Sequence, residues 1–314
     1  MKRLLCIVFA GLVATSASAA PTTLDPSRLR LASANVLVLD AAADRQIYAK
    51  AADEVTPIAS VTKLMTAMVV LDAQQPLEET LDIDMADFDY LKNSTSRLRM
   101  GTTLPRREML RLALMSSENR AASSLARHYQ GGTQAFVAAM NFKAASLGML
   151  HTHYSDPTGL SPENVSTASD LAKLVQAAAE YPMIREFTTT PSHLVEMQET
   201  GRMLDFNNSN ALVKNQAWDI TLQKTGYIRE AGKCVVMLVN IASKPFVIVL
   251  LDSLGKYTRI ADAQRVKHWL ETGESLAMAP VKAARVVKVR MRLHARHHTR
   301  GTFQPRLIKT SQKR

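Results

Sequence analysis

Residues 219–251, DITLQKTGYIREAGKCVVMLVNIASKPFVIVLL, hold three Val- and Ile-rich runs separated by tight polar connections. Runs of this length and composition read as strands, so this part of the chain belongs in an antiparallel sheet. Near the other end, SANVLVLDAAADRQIYAK (residues 33–50) reads as two short strands around an Asp-rich turn. The two groups most simply join into one sheet, with everything between them inserted as a helical block. From Ile58 to about Ala73 the chain is apolar on nearly every side, as a helix in the middle of a domain would be. Residues 105–150 are helical in pattern. They break at Ser116-Ser117-Glu118 and again at Gly131-Gly132, where Thr133 can cap the next helix and Gly148 can end it. HYSDPTGLSPENVSTASDLAKLV makes a loop into a further helix capped by Thr167 or Ser169, and YTRIADAQRVKHWLET returns to helix after the strands. This order predicts an α+β fold, an antiparallel sheet flanked by helices with a helical subdomain inserted.

The first residues, MKRLLCIVFAGLVATSASAA, have the basic start, short apolar run and small-residue Ala17-Ser18-Ala19 site of a cleaved export signal over residues 1–19. The apolar run is too short for a spanning helix, and Cys6 lacks the setting of a lipoprotein anchor. The mature protein is therefore expected outside the cytoplasm. Cys6 leaves with the signal, so Cys234 has no intramolecular partner and the fold must rest on its core.

The formal net charge of +11 suggests nucleic acid until it is located. Residues 275–314 contain eleven Lys and Arg and no acid, and the signal contains two more bases. Taking 11 and 2 from 39 leaves 26 bases against 28 acids in residues 20–274, a net charge of −2. The body is near neutral, and the tail has a single aromatic residue, Phe303, so no nucleic-acid partner is expected.

Three short patterns carry chemistry. Ser60 and Lys63 stand one helical turn apart at the head of the apolar run, where a buried lysine loses its charge easily and can take the serine proton. The alternative is that Lys63 reaches solvent or pairs with Asp72, Asp82 or Asp84. The Ser-x-x-Lys pattern alone is weak, since it recurs at Ser253–Lys256. Ser117-Glu118-Asn119 could present a hydroxyl and an amide to a cleft, or could simply be a helix boundary with Ser117 as cap; Ser33–Asn35 repeats its pattern. Lys224-Thr225-Gly226 lies on a strand, where glycine weakens pairing unless something approaches the backbone closely. Lysine and threonine point to opposite faces of a flat strand, so a twist or bulge is expected if both serve one cleft. An ordinary edge strand is the plain alternative.

In this chain order, the three patterns are those of class A β-lactamases and penicillin-binding proteins. From about Ala32 to Gly273 the sequence resembles the exported serine D-alanyl-D-alanine peptidases, in ASVTKLMTAMVVLDA, LALMSSENRAASSLA, DPTGL, NVSTASDLAKL and GKYTRIADAQRVKHWLETG. The resemblance is strongest to the endopeptidase branch. It implies a β-lactamase/transpeptidase-like fold with the peptidase domain over residues 20–274. Ser60 would be the nucleophile and Lys63 its base. Ser117 would relay a proton to the leaving amine, and Asn119 would orient Lys63 and the substrate amide. Lys224, Thr225 and Gly226 would bind substrate, and the backbone of Tyr227 would share an oxyanion hole with Ser60. Neither metal nor cofactor is required. The implied partners are peptidoglycan stem peptides and covalently bound β-lactams.

Carboxypeptidase action on uncross-linked pentapeptides would use the same groups. A β-lactamase would need a deacylating glutamate, and Glu163 lies in the right region but in the wrong setting. A catalytically idle wall-binding protein is the reading from another class, disfavoured because all three patterns are complete. His151 and His153 lack further ligands for zinc. Residues 275–314 are expected to be largely a disordered cationic extension, able to attach to anionic membrane lipid or cell-wall polymer.

Overall fold

The computed structural model describes residues 24–278, apart from 198, 199 and 256. The expected export signal and most of the basic tail lie outside the described residues. Within them, no helix is long and apolar enough to cross a membrane.

The sheet joins the two ends of the body. Strands β1 (Asn35–Asp40) and β2 (Arg45–Lys50) form the early hairpin; a long insertion follows, and the final strand of the last three pairs against β1. The insertion contains three short antiparallel ribbons. They are β3 (Thr56–Pro57) with β6 (Val165–Ser166), β4 (Thr80–Asp82) with β5 (Thr103–Pro105), and β7 (Ser192–Met197) with β8 (Arg202–Asn207). Then come β9 (Asp219–Ile228), β10 (Gly232–Ile241) and β11 (Lys244–Ser253). The main sheet has the order β2-β1-β11-β10-β9, all antiparallel. The predicted closure of hairpin onto triple strand is thus made by β1 against β11, with Val38 opposite Ile248.

Both faces of this sheet are covered, and that explains its unbroken apolar runs. Leu37, Leu39, Val247 and Val249 face a large core shared with the helical insertion. Their neighbours Val36, Val38, Ile248 and Leu250 face the opposite way, into a second core with Val266 and Trp269 of the C-terminal helix. Strands buried on both sides lose the polar alternation that marks a half-exposed strand.

The insertion supplies α1 (Lys63–Asp72), α2 (Arg106–Met115), α3 (Asn119–Arg127), α4 (Gly132–Ser146), α5 (Ala168–Ala179) and α6 (Pro182–Thr189); α7 (Thr258–Thr272) follows the sheet. Thr167 caps α5 by accepting the Asp170 N–H at 3.0 Å. Such a cap contributes about 1 kcal/mol. Thr133 does not cap α4; the chain enters it through Gly131 in a left-handed conformation (φ 87°), with no side-chain cap bond. Nor is Ser117 a cap, since Glu118 fills that place on α3.

The two decoy patterns meet one another against α7, outside the cleft. Ser33 Oγ lies 2.6 Å from Ser253 Oγ and donates to the buried Asp262 carboxylate at 2.7 Å, which ties the start of the sheet to α7.

Candidate active site

Ser60 does not begin an α-helix. It sits in a 3-10 turn, Ala59–Thr62, and α1 starts at Lys63. Side chains three apart eclipse one another in such a turn, which places Ser60 and Lys63 together. Ala59, fully buried, enters the turn with φ 48°. A left-handed alanine is strained, and strain of this kind persists only where the surroundings enforce it.

Lys63 is 0% exposed. Its Nζ lies 2.7 Å from Asn119 Oδ1, 2.6 Å from the Thr158 carbonyl and 3.0 Å from Ser60 Oγ. A neutral amine has two N–H donors and one lone pair. Two carbonyl acceptors and one hydroxyl able to donate are the partners that fit it. Burial pushes the Lys63 pKa down to about 7, against the raising influence of Asp156, Glu118 and Asp89. Desolvation outweighs three carboxylates because none of them touches the amine, whereas the low-dielectric surroundings act on it directly. Lys63 does not pair with Asp72, Asp82 or Asp84; Asp72 pairs with Lys143, and the other two with Arg127.

Ser117 bridges α2 and α3 with φ 64°, a second strained residue, and its Oγ accepts from Lys224 Nζ at 2.9 Å. Asn119 opens α3 and is held from behind by donating to Ser94 Oγ at 2.9 Å. The Ser-x-Asn turn therefore touches both lysines of the site.

β9 is an edge strand, and its outer side forms the facing wall. The expected bulge does not fall at the lysine and threonine; the register slips opposite Leu238/Val239, earlier along the strand. Instead the Lys224 stem bends back, so that its Nζ also donates to the Thr225 carbonyl at 3.1 Å, while Thr225 Oγ1 donates to Ser209 Oγ at 2.7 Å. Burial, then the charges of Lys63 and Arg259, push Lys224 well below the usual lysine range. The glycine has the reason expected of it. A Cβ on Gly226 would lie 2.8 Å from the Ile58 carbonyl oxygen and 3.2 Å from Ser60 N, so β9 can pass the serine turn only without a side chain there.

These walls enclose a cleft of about 480 Å³ lined by Ser60, Ser117, Asn119, Thr225, Gly226 and Tyr227, with Lys92, Arg229 and Arg259 adding positive charge. A separate groove of about 400 Å³, walled by Arg99, Met100 and Arg202, shares none of these residues.

Residues 20–255 match the family described as D-alanyl-D-alanine carboxypeptidase. The chain belongs to that family. It is 49% identical to a Pseudomonas aeruginosa protein named D-alanyl-D-alanine endopeptidase over 89% of this chain and 90% of the relative. It is 46% identical to an Escherichia coli protein of the same name, over 90% and 89%. A solved Streptomyces DD-transpeptidase superposes with a TM-score of 0.72 at 26% identity, covering 77% of this chain and 97% of that one.

Several residues of this family member were not singled out from sequence. Asp156, in the DPTGL loop, accepts the N–H groups of Thr158, Gly159 and Ser161 at 2.6, 2.8 and 2.9 Å, which aims the Thr158 carbonyl at Lys63. Asn164, fully buried, accepts from Ser155 N at 2.7 Å and donates to Thr62 Oγ1 at 3.1 Å, fastening the loop to the serine turn. Arg259 of α7 donates to the carbonyls of Gly226 and Cys234 at 3.1 and 3.3 Å while lining the cleft. The Asp-Pro-Thr-Gly run was the one legible signal, because it spells a turn.

Glu163 is exposed and does not line the cleft. His153 takes part through its backbone in a bridge to Val165. Among the described residues, no group of three or more His, Cys, Asp or Glu is placed to hold a metal.

Proposed function

We propose that this family member is a periplasmic serine D-alanyl-D-alanine endopeptidase that opens the peptide cross-links of peptidoglycan through an acyl-enzyme on Ser60. The observation that carries the reading is the contact set of Lys63, with the nucleophile at 3.0 Å and two fixed acceptors. The endopeptidase names of the relatives at 49% and 46% identity support the choice of bond.

Ser60 Oγ attacks the D-alanyl carbonyl as its proton passes to Lys63. The oxyanion is received by the N–H groups of Ser60 and Tyr227, a contribution that is usually the largest in acyl transfer. When the tetrahedral species collapses, the C–N bond breaks and the leaving amine takes a proton relayed through Ser117. Water then attacks the ester with Lys63 as base and releases Ser60. Lys224, Thr225 and Arg259 hold the carboxylate on the leaving side. A carboxylate there would restore the Lys224 proton that burial disfavours, so binding and charge support each other. β-Lactams enter the same route and stay as a slow ester, because Glu163, the glutamate weighed for deacylation, does not line the cleft.

A defined cross-linked muropeptide dimer incubated with the mature protein should give monomers by mass spectrometry, and a Ser60→Ala variant should give none. An intact dimer alongside trimmed uncross-linked pentapeptide would move the activity to the carboxypeptidase, which the family description favours.

The export signal would place this chemistry in the periplasm, and the basic tail would hold it against anionic lipid or wall polymer. Truncation after Glu274 should then reduce sedimentation with anionic vesicles or sacculi at low salt. Unchanged sedimentation would remove that role.

A further inference from the structure

The groove outside the catalytic cleft is built around three arginines. One wall is the loop before β5. Leu98 is fully buried there, so its neighbours Arg97 and Arg99 both turn outwards and line the groove. The loop is held in that posture. Arg120 donates to the Leu98 carbonyl at 2.6 Å, Ser96 Oγ accepts the Leu98 N–H at 3.0 Å, and the Ile83 N–H donates to the Thr102 carbonyl at 2.9 Å. The other wall is the inner face of the β7–β8 hairpin. Met197 is paired with Arg202, and Leu204 and Phe206 continue that face with a period of two. Met100, Met197 and Leu204 give the groove an apolar lining, and no described residue that lines it is acidic. Arg97 is already engaged, since it lies 4.0 Å over the Phe206 ring and donates to the Asp205 carbonyl. The guanidinium groups of Arg99 and Arg202 make no hydrogen bond or ion pair with a described residue.

The groove lies on the leaving side of the reacting centre. Thr225 donates to Ser209, and on the proposed endopeptidase reading, on which this inference rests, the leaving residue's carboxylate is held there. Phe206 precedes Ser209 by three residues, about 11 Å of chain at most, and Arg99 follows Ser94 of the cleft by five, about 18 Å at most. An extended peptide of five residues covers about 17 Å. A second stem peptide leaving past Ser209 can therefore reach the groove, whereas a single released D-alanine cannot.

We propose that Arg97, Arg99 and Arg202 form an exosite for the leaving strand of a cross-linked substrate, and that it takes the carboxylates which that peptide carries beyond the one held at Thr225. A planar guanidinium meets a carboxylate with two parallel N–H donors, and it is more weakly hydrated than an ammonium. Two such groups without partners, beside an apolar lining that accepts side-chain stems, suit an anionic peptide. The exosite does not touch the acyl part of the substrate. It acts on the choice of leaving group and not on formation of an ester from a β-lactam. Cross-link opening is thereby favoured over pentapeptide trimming, although the catalytic groups serve both.

The test compares the full-length mature protein with a double variant, Arg99→Glu with Arg202→Glu. On a cross-linked peptide dimer with free leaving-strand carboxylates, the variant's kcat/KM at low salt should fall at least about tenfold, mainly through KM. β-Lactam acylation, which involves no leaving strand, should stay within about twofold. Arg99→Lys with Arg202→Lys keeps the charge and should restore most of the dimer cleavage. The wild type should also cut about tenfold more slowly a dimer whose leaving-strand carboxylates beyond the first are amidated, and charge reversal should not slow that dimer further. Equal cutting of the free dimer by wild type and variant would overturn the exosite and leave the endopeptidase standing. Equal cutting of free and amidated dimers by the wild type would overturn it without recourse to any variant. A parallel fall in acylation would also overturn it, because the arginines would then support the fold of the site instead of holding substrate. If the wild type cuts neither dimer, the endopeptidase reading fails and the exosite fails with it.

Discussion

A Lys63→Met protein should acylate with a β-lactam roughly a thousandfold more slowly than the wild type, the scale of a lost general base. Methionine keeps the length and apolar stem of lysine, so the core around α1 is retained while the amine is removed. Intact-mass spectrometry of the acyl-enzyme against time measures the loss. A fall of less than tenfold would mean that Ser60 is activated by another group. The pH profile gives a second reading. With a pKa of about 7, the neutral amine gains population as pH rises. Wild-type acylation should therefore climb with pH to about 7 and level above it, whereas the residual rate of Lys63→Met should lack that limb. Stability shows the same linkage. Between about 7 and the ordinary lysine value of 10.5, the folded state binds fewer protons at Lys63 than the unfolded state does. Folding of the wild type should gain stability relative to Lys63→Met as pH rises through that window.

What could be read in the sequence was what is local. Ser60 and Lys63 share a turn, Lys224 to Gly226 share a strand, and the Val- and Ile-rich runs announce a sheet whatever surrounds them. The closeness demanded by Gly226 could be inferred because a strand rarely tolerates glycine without cause. The partner that demands it, the Ile58–Ser60 turn, is far away in sequence and could not be named. The start of α1 was placed too early because apolar periodicity does not separate a 3-10 turn from an α-helix. The polarity of the lysine hole was invisible for another reason. One of its acceptors, the Thr158 carbonyl, is backbone, and any residue has a carbonyl. Its direction depends on Asp156 and Asn164, whose side chains act through loop geometry that no spacing rule encodes. Arg259 reaches the cleft from a helix that looked purely structural.

Replacing Gly159 by alanine should silence the site more thoroughly than its distance from any reacting atom suggests. Gly159 has φ 80°, and a Cβ there would stand 2.0 Å from the Ala59 carbonyl oxygen, 2.3 Å from its carbon and 2.9 Å from Ser60 N. All three are backbone atoms, so no side chain can swing aside. Either the DPTGL loop backs away, taking the Thr158 carbonyl from Lys63, or the serine turn moves, taking Ser60 N from the oxyanion position. Both routes disturb the site by an ångström or more, a displacement that costs about a hundredfold in rate. Ala59, itself left-handed and fully buried, has little freedom to absorb the push. Acylation per folded molecule should thus fall about a hundredfold or more in Gly159→Ala. Gly148→Ala separates the clash from the dihedral. Gly148 has φ 68° with open space around its missing Cβ, so it carries the same left-handed penalty of about 1 kcal/mol without the collision. That control should melt somewhat earlier and acylate within about twofold of the wild type. Similar acylation by the two variants would show that the nucleophile turn is held by something other than this contact. A loss confined to Gly159→Ala would mean that the serine turn and the DPTGL loop fit together only with a glycine between them.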